Sequence, residues 1–449
     1  MKTLDKSAAK EVAGDKHGVN QITEGVIWKQ LLLFFFPILF GTFFQQLYNT
    51  TDAVIVGNFV GKEALASVGG PAATLINLLV GFFVGLSSGA SVIISQFYGA
   101  DHKEDVKKAV HTAFALSIAG GAVIMGLGLL FSGAALRAMN TPEDIMKLSV
   151  QYMRIYFLGV IPSLIYNMGS SILRAVGDSK RPLYFLILSC IANILLDIFF
   201  VVVLKLGVAG VAIATVLSQV ISALMTMAAL MRSEDSYRLF LKEIRFHGNI
   251  LHNIIRIGLP AGLQNSIISV ANVFVQANIN QFGQMAVARC GAYSKIQGFG
   301  FLPITCFSLA LTTFISQNLG ARKYERARKG ALFGIACTTA MAELIGVFIY
   351  LFAPKLIAAF NNTPEVIAFG ARQAHTETAF FFLLAFSHCM AGILRGAGKS
   401  MVPMVVMLIF WCIFRVSYIS VMIRFIPDIR VIFWAYPLTW SLSSLVFLI

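Results

Sequence analysis

Charge is scarce in this sequence. Lys, Arg, Asp and Glu make up 12% of its 449 residues, where a soluble domain carries about 25%. Hydrophobic residues reach 57% and mean hydropathy is +0.78. Too few polar side chains exist to coat a water-soluble particle, so lipid must be the solvent for most of the surface. Cysteine is equally uninformative as chemistry. Cys190, Cys290, Cys306, Cys337, Cys389 and Cys412 form no C-x-x-C and all sit in apolar stretches. That excludes a disulfide framework or zinc site and reads them as small buried residues. Neither H-E-x-x-H nor G-x-S-x-G occurs, so an intramembrane enzyme is not supported. Net charge is +14 without any nucleic-acid-binding motif. The first 25 residues, with Asp5, Lys6, Lys10, Glu11, Asp15 and Lys16, lack an apolar core and read as a solvated tail, not a signal peptide.

What is present is a series of apolar runs, each long enough for a spanning helix of roughly 20 residues. Twelve are predicted, near 27–57, 65–98, 107–136, 146–173, 182–204, 208–231, 250–282, 285–318, 328–353, 365–394, 401–425 and 430–449. The fold class is therefore an all-α polytopic membrane protein. The division is a polar tail at 1–26, a six-helix bundle at 27–231, a linker at 232–249 and a second six-helix bundle at 250–449. With the N-terminus cytoplasmic, the tail and even-numbered loops hold 23 basic residues and the odd loops eight. That bias places both termini in the cytoplasm. The chain stops at Ile449 inside an apolar run with no basic residue beyond it, so the last span is expected to be truncated or weakly anchored.

The halves repeat. Ser95-Gln96-Phe97-Tyr98-Gly99-Ala100 recurs as Ser316-Gln317-Asn318-Leu319-Gly320-Ala321, 221 residues on. Asn140-Thr141-Pro142-Glu143 recurs as Asn362-Thr363-Pro364-Glu365, and Leu173-Arg174 with Gly177 and Pro182 as Leu394-Arg395 with Gly398 and Pro403. Pro37 and Pro260 open the first spans of the two halves. A six-span unit enters the membrane from the same side each time, so the repeats are parallel and related by an axis along the membrane normal. Two such bundles leave a central cleft, and rocking one against the other gives alternating access.

A charge in mid-bilayer costs roughly 2.5–3.5 kcal/mol on insertion scales, which makes each one a functional candidate. Four acids fall in spans: Asp52, Asp197, Glu343 and Glu377. Asp52 and Asp197 lie in the outer parts of spans 1 and 5; Asn193 precedes Asp197 by one helical turn. Thr215 reaches similar depth on span 6. Two carboxylates, an amide and a hydroxyl at one level suit a hard cation such as Na+ or a shared proton. The repeat puts Tyr418 opposite Asp197 and, roughly, Phe274 opposite Asp52. The second bundle instead carries His375, Glu377 and His388 on span 10. His375 and Glu377 are cleft candidates and His388 a packing residue. Further cleft candidates are Gln46, Asn49, Gln264, Asn272 and Gln276. Glu343 has no assigned role. Lys295 and Arg415 are expected to be buried cations of the second bundle, and their spacing does not tie them to Glu377. Pro37 removes a backbone hydrogen bond from span 1 and reads equally as a hinge or a static kink.

Taken in order, these features resemble the multidrug and toxic compound extrusion (MATE) family over nearly the whole chain. The resemblance rests on the six-plus-six repeat, Asp52 just before Val56-Gly57, the two Ser-Gln-x-x-Gly-Ala elements, Leu-Arg-x-x-Gly after spans 4 and 10, and Asn193-x-x-x-Asp197. It implies antiport of organic cations against H+ or Na+ across a prokaryotic plasma membrane, by a monomer with no cofactor beyond the coupling ion. Its cation site carries over to Asp52, Asn193, Asp197 and Thr215. Span 7 holds no acid, so the second-bundle sodium site of another branch does not carry over. The partners implied are the bilayer and cationic small molecules, with no nucleic acid. A flippase for a lipid-linked precursor is the alternative. A passive channel is disfavoured because this chain carries its own pseudo-symmetry.

Overall fold

The computed structural model describes residues 22–282, 284–360 and 363–449, and among these the regular structure is all helix. The charged residues of the tail from Asp5 to Lys16 lie outside the described residues. The first bundle comprises α1 (Ile27–Phe59), α2 (Lys62–Gly69), α3 (Pro71–Gly99), α4 (Lys103–Ala138), α5 (Glu143–Leu158), α6 (Val160–Ala175), α7 (Lys180–Val203) and α8 (Gly207–Met231). The second comprises α9 (Gly248–Asn280), α10 (Gln284–Gly320), α11 (Tyr324–Ala358), α12 (Pro364–Thr378), α13 (Phe381–Gly396), α14 (Met401–Phe425) and α15 (Arg430–Leu448). Ten segments, counting α2 with α3 as one, are long and apolar enough to cross a bilayer, and two bent pairs bring the crossings to twelve. Large apolar side chains such as Leu130 and Leu344 stand exposed on the outside, as expected where lipid is the solvent.

The bends are where the structure departs from twelve straight spans. The fourth crossing breaks between α5 and α6 at 51°, the tenth between α12 and α13 at 53°. Gly159 occupies the first break. A Cβ there would lie 2.6 Å from Val216 on α8, so only glycine admits that approach. At the second break the backbone N–H of Phe382 donates to Glu343 Oε1, 3.0 Å away. Glu343 thus satisfies a donor that the interrupted helix leaves free. It is a capping group, a role its solitary position in span 9 did not suggest.

The two bundles meet backbone to backbone. Gly85 and Gly89 of α3 face Gly262 and Gly258 of α9. A Cβ on Gly85 would lie 2.3 Å from Gly262 N, and one on Gly89 2.4 Å from Gly258 N. This is paired G-x-x-x-G packing, in which missing side chains let helices close up in a solvent that offers no hydrophobic drive between them. Asn265 Nδ2 extends the seam by donating to Gly81 O, 3.2 Å.

At the end of the molecule bearing Gly99, the repeated Ser-Gln-x-x-Gly-Ala elements lock across the divide. A Cβ on Gly99 would lie 2.1 Å from Gln317 O, and one on Gly320 2.1 Å from Gln96 O. Gln317 Nε2 (2.6 Å) and Ser95 Oγ (3.0 Å) both donate to Ala175 O at the end of α6. Gln96 Nε2 (3.3 Å) and Ser316 Oγ (3.0 Å) both donate to Gly396 O at the end of α13. Each glutamine therefore reaches into the opposite bundle and serves a terminal carbonyl that no helix turn satisfies. The linker at 232–249 covers α4 at the same end. Leu239 is buried, Phe240 N donates to His111 Nε2 (3.0 Å), and Lys107 pairs with Glu243 at 2.9 Å. The Lys107 ammonium holds the Glu243 carboxyl below the usual range.

Because the glycines at this end admit no Cβ, Gly99→Val is expected to pry α3 from α10. Spin labels at the exposed Lys103 and Glu325 should then report a longer, broader distance than in the unaltered protein. Gly126→Val, at a glycine with open space around it, should leave the distance unchanged.

Candidate functional site

Asp52 on α1 and Asp197 on α7 are brought together. Asp52 is buried and Asp197 fully so, and their carboxyl groups interact directly. Asp197 is the last residue before a π-helical turn, Ile198–Val203, a deformation that recurs at functional positions in helices. Thr215 on α8 is buried, and its hydroxyl donates to Val211 O at 3.0 Å. The Tyr48 hydroxyl, one turn before Asp52, lies against Thr215 and Asp52 without a well-aligned hydrogen bond to either. Asn193 is fully buried one turn before Asp197.

The distinguishing property of this cluster is unmet bonding capacity. Tyr48 OH, Asp52 Oδ1, both Asp197 oxygens and both Asn193 amide atoms are buried without a hydrogen-bond partner. Each such group costs about 1–3 kcal/mol when left unpaired. Two carboxylates side by side in a poor dielectric also repel if both are charged. A shared proton removes one charge; a hard cation balances both and uses the free oxygens as ligands. No Lys or Arg lines the adjoining cavity, which has a volume of about 300 Å³ and takes in Tyr48, Asn49, Asp52, Tyr152, Tyr156 and Thr215. Its lining comes from the first bundle alone. A wider depression of about 1830 Å³ lies at the Gly99 end, where acidic and basic groups such as Asp235 and Arg232 mix; it is far from the acid pair and carries no excess of one sign.

The other predicted residues are dispersed. Asn49 lines the cavity, whereas Gln46, Asn272 and Gln276 are exposed, and Gln276 Nε2 donates to Asn280 Oδ1 at 2.9 Å. Gln264 is buried between helices and donates to Met407 Sδ, 2.7 Å, so it is interhelical glue and not a cleft wall. His375 stacks on Tyr350 (4.1 Å between centroids) and Nε2 meets Tyr350 O at 3.0 Å. It faces α11, on a different side of α12 from Glu377, because two residues along a helix turn by about 200°. Lys295 is exposed over the Phe360 ring, not buried. His388 packs against Trp411. Pro37 lies inside the unbroken helix α1.

Glu377 is fully buried. Gln297 Nε2 donates to its Oε2 and Gln373 Nε2 to its Oε1, 2.9 Å for the latter. The Tyr293 hydroxyl and the Arg415 guanidinium are further neighbours. Spacing alone had not joined Arg415 to Glu377; the packing of α14 against α12 does. Among the described residues no cluster of three or more His, Cys, Asp or Glu side chains forms a metal centre. Sequence reasoning passed over Tyr48, Gln297 and Gln373. The first and last were findable, each standing four residues before a buried acid.

Family comparison decides the affiliation. The MatE family model matches residues 37–199 and 260–419, one copy in each bundle. The chain belongs to the MatE family. As a MatE protein it is a membrane transporter by kinship as well as by architecture. It is 27% identical over 433 residues to "Probable multidrug resistance protein YoeA" of Bacillus subtilis (strain 168), spanning 93% of this chain and 92% of that one. It is 25% identical over 360 residues to an "FAD transporter" of Shewanella oneidensis, spanning 79% of this chain and 78% of that one. A solved outward-facing multidrug resistance MATE transporter superposes with a TM-score of 0.89 at 25% identity over 96% of both chains. A Pyrococcus furiosus transporter, described as having reversed polarity in its binding pocket, superposes at 0.88 and 25% identity, over 95% of this chain and 96% of that one.

Satisfying the acid cluster should stabilise the fold. Thermal unfolding in detergent is expected to shift upward on adding Na+ or on mild acidification, by an amount equivalent to about 2.7 kcal/mol at a ligand concentration a hundred times Kd. Asp197→Asn should abolish that shift. An identical melting temperature for the unaltered protein in all these buffers would refute an ion-binding cluster.

Proposed function

We propose that this protein is a secondary active exporter that exchanges organic cations for H+ or Na+ by alternating access. The observation that carries the reading is the buried Asp52–Asp197 pair, opening onto a cavity without any Lys or Arg. An acid pair that needs a positive partner can take it from the ion or from the cargo, and occupancy by one disfavours the other. That competition is the basis of exchange. The aromatic rings of Tyr48, Tyr152 and Tyr156 suit a flat cation. Asp52, Asp197 and Thr215 hold the ion, with Asn193 one turn away.

The Gly99 end faces the cytoplasm in this reading, since the loops there carry the excess of Lys and Arg. The locked glutamines then close the inner side while the first-bundle cavity serves the outer one. Pro37 supplies a flexible point in α1, fifteen residues before Asp52. The transporter works as a monomer in a bacterial plasma membrane and needs no cofactor beyond its coupling ion. Multidrug resistance in the names of the relatives agrees with cationic, chemically varied cargo. A flippase for a lipid-linked anionic precursor fits less well, because anionic cargo would meet unbalanced carboxylates.

Reconstituted vesicles loaded with a fluorescent organic cation test this. Efflux should follow an imposed proton or sodium gradient, and the ion that works identifies the coupling species. Asp52→Asn should reduce efflux to the rate of protein-free vesicles. Normal gradient-driven efflux by Asp52→Asn would remove the coupling role from the first bundle.

A further inference from the structure

The repeat allows the first-bundle cavity to be located in the second bundle. On the fourth and tenth crossings the register is fixed by burial: Ile145, Ser149, Tyr152, Met153 and Phe157 are buried, and so are Val366, Gly370, Gln373, Ala374 and Thr378, each 221 residues on. Tyr156 of the cavity therefore corresponds to Glu377, and Tyr152 to Gln373. On the fifth and eleventh crossings Cys190 corresponds to Trp411, both buried. Beyond that point α14 contains a π-helical turn, Leu408–Phe414. Such a turn inserts one residue. The buried series Cys190, Asn193, Asp197 accordingly becomes Trp411, Arg415, Ile419. Arg415 holds the place of Asn193. The equivalence of Asp197 and Tyr418 expected from a constant offset is shifted by one, to Ile419.

The replica is filled and self-balanced. Trp411 stands where Cys190 leaves room. The Arg415 guanidinium lies over the rings of Trp411 (5.5 Å) and Tyr436 (4.5 Å), and its Nη2 donates to Thr439 Oγ1 at 2.8 Å. Arg415 is 2% exposed and Glu377 0%, and the two interact electrostatically. A lone buried charge costs several kcal/mol, so each group requires the other. In the first bundle two acids share a site with no base; in the second, one acid has a built-in base.

We propose that Arg415 is a tethered cation, a positioning residue that neutralises Glu377 and keeps the second-bundle replica from binding an ion. Coupling is thereby confined to the first bundle. The inference rests on the exporter reading for its functional meaning, but its test does not. Removal of the tethered charge turns the Glu377 pocket into a cation site.

The experiment counts cations on purified full-length protein, using radioactive Na+ for binding and potentiometric titration for proton uptake. Arg415→Gln should gain one cation equivalent per chain over the unaltered protein, and adding Glu377→Gln should remove that gain. Arg415→Lys, which keeps the charge, should show the original count. The gain is a difference, so it appears whether or not the first bundle binds an ion; loss of the basal count by Asp52→Asn reports on that separately. A folded Arg415→Gln protein with no gain, or a gain that survives Glu377→Gln, overturns the proposal. If Arg415→Gln does not fold, the neutral pair Arg415→Gln with Glu377→Gln decides: restored folding with unaltered ion-dependent efflux supports a tethered cation, and a folded protein without ion-dependent efflux overturns it.

Discussion

The structure depends on two helical bundles touching backbone to backbone. In lipid, helices gain nothing by hiding apolar side chains from their surroundings, because the surroundings are equally apolar. Contact must come from close packing and hydrogen bonds. Gly85 and Gly89 against Gly262 and Gly258 supply the packing, and the crossed Gln96 and Gln317 supply the bonds. Both devices are two-sided and follow the internal repeat. They hold one end of the molecule shut while leaving the bundles free of covalent or ionic ties elsewhere along the seam. A transporter that rocks needs a contact that forms and parts as a unit, and short-range interactions of this kind lose most of their strength within an ångström or so of separation.

Inside each bundle the governing constraint is charge balance in a medium that cannot solvate ions. The first bundle leaves Asp52 and Asp197 to be balanced from outside, with a ring of unpaired polar atoms around them. The second balances Glu377 internally through Arg415 and surrounds it with amide donors. One ancestral arrangement of helices thus hosts opposite solutions. The difference comes down to few positions: a guanidinium in place of Asn193, a large indole in place of Cys190, and a carboxylate in place of Tyr156.

Composition, hydropathy and the repeat by themselves determined the all-helical membrane architecture, the two bundles and the depth of Asp52, Asn193, Asp197 and Thr215. These follow from the sequence because lipid imposes span length, parity fixes direction and helical rise converts position into depth. Tertiary structure alone decided which groups share a face and which helices meet. His375 and Glu377 sit two residues apart, yet one stacks on Tyr350 and the other is buried among amides. Glu343 became a helix cap only because the tenth crossing breaks beside it. Arg415 met Glu377 only because α14 packs against α12, and the π-helical turn that rotates it inward leaves no mark in hydropathy. Depth is a one-dimensional quantity that a sequence carries; facing is set by rotation, bends and inserted residues, which the packing of neighbouring helices imposes.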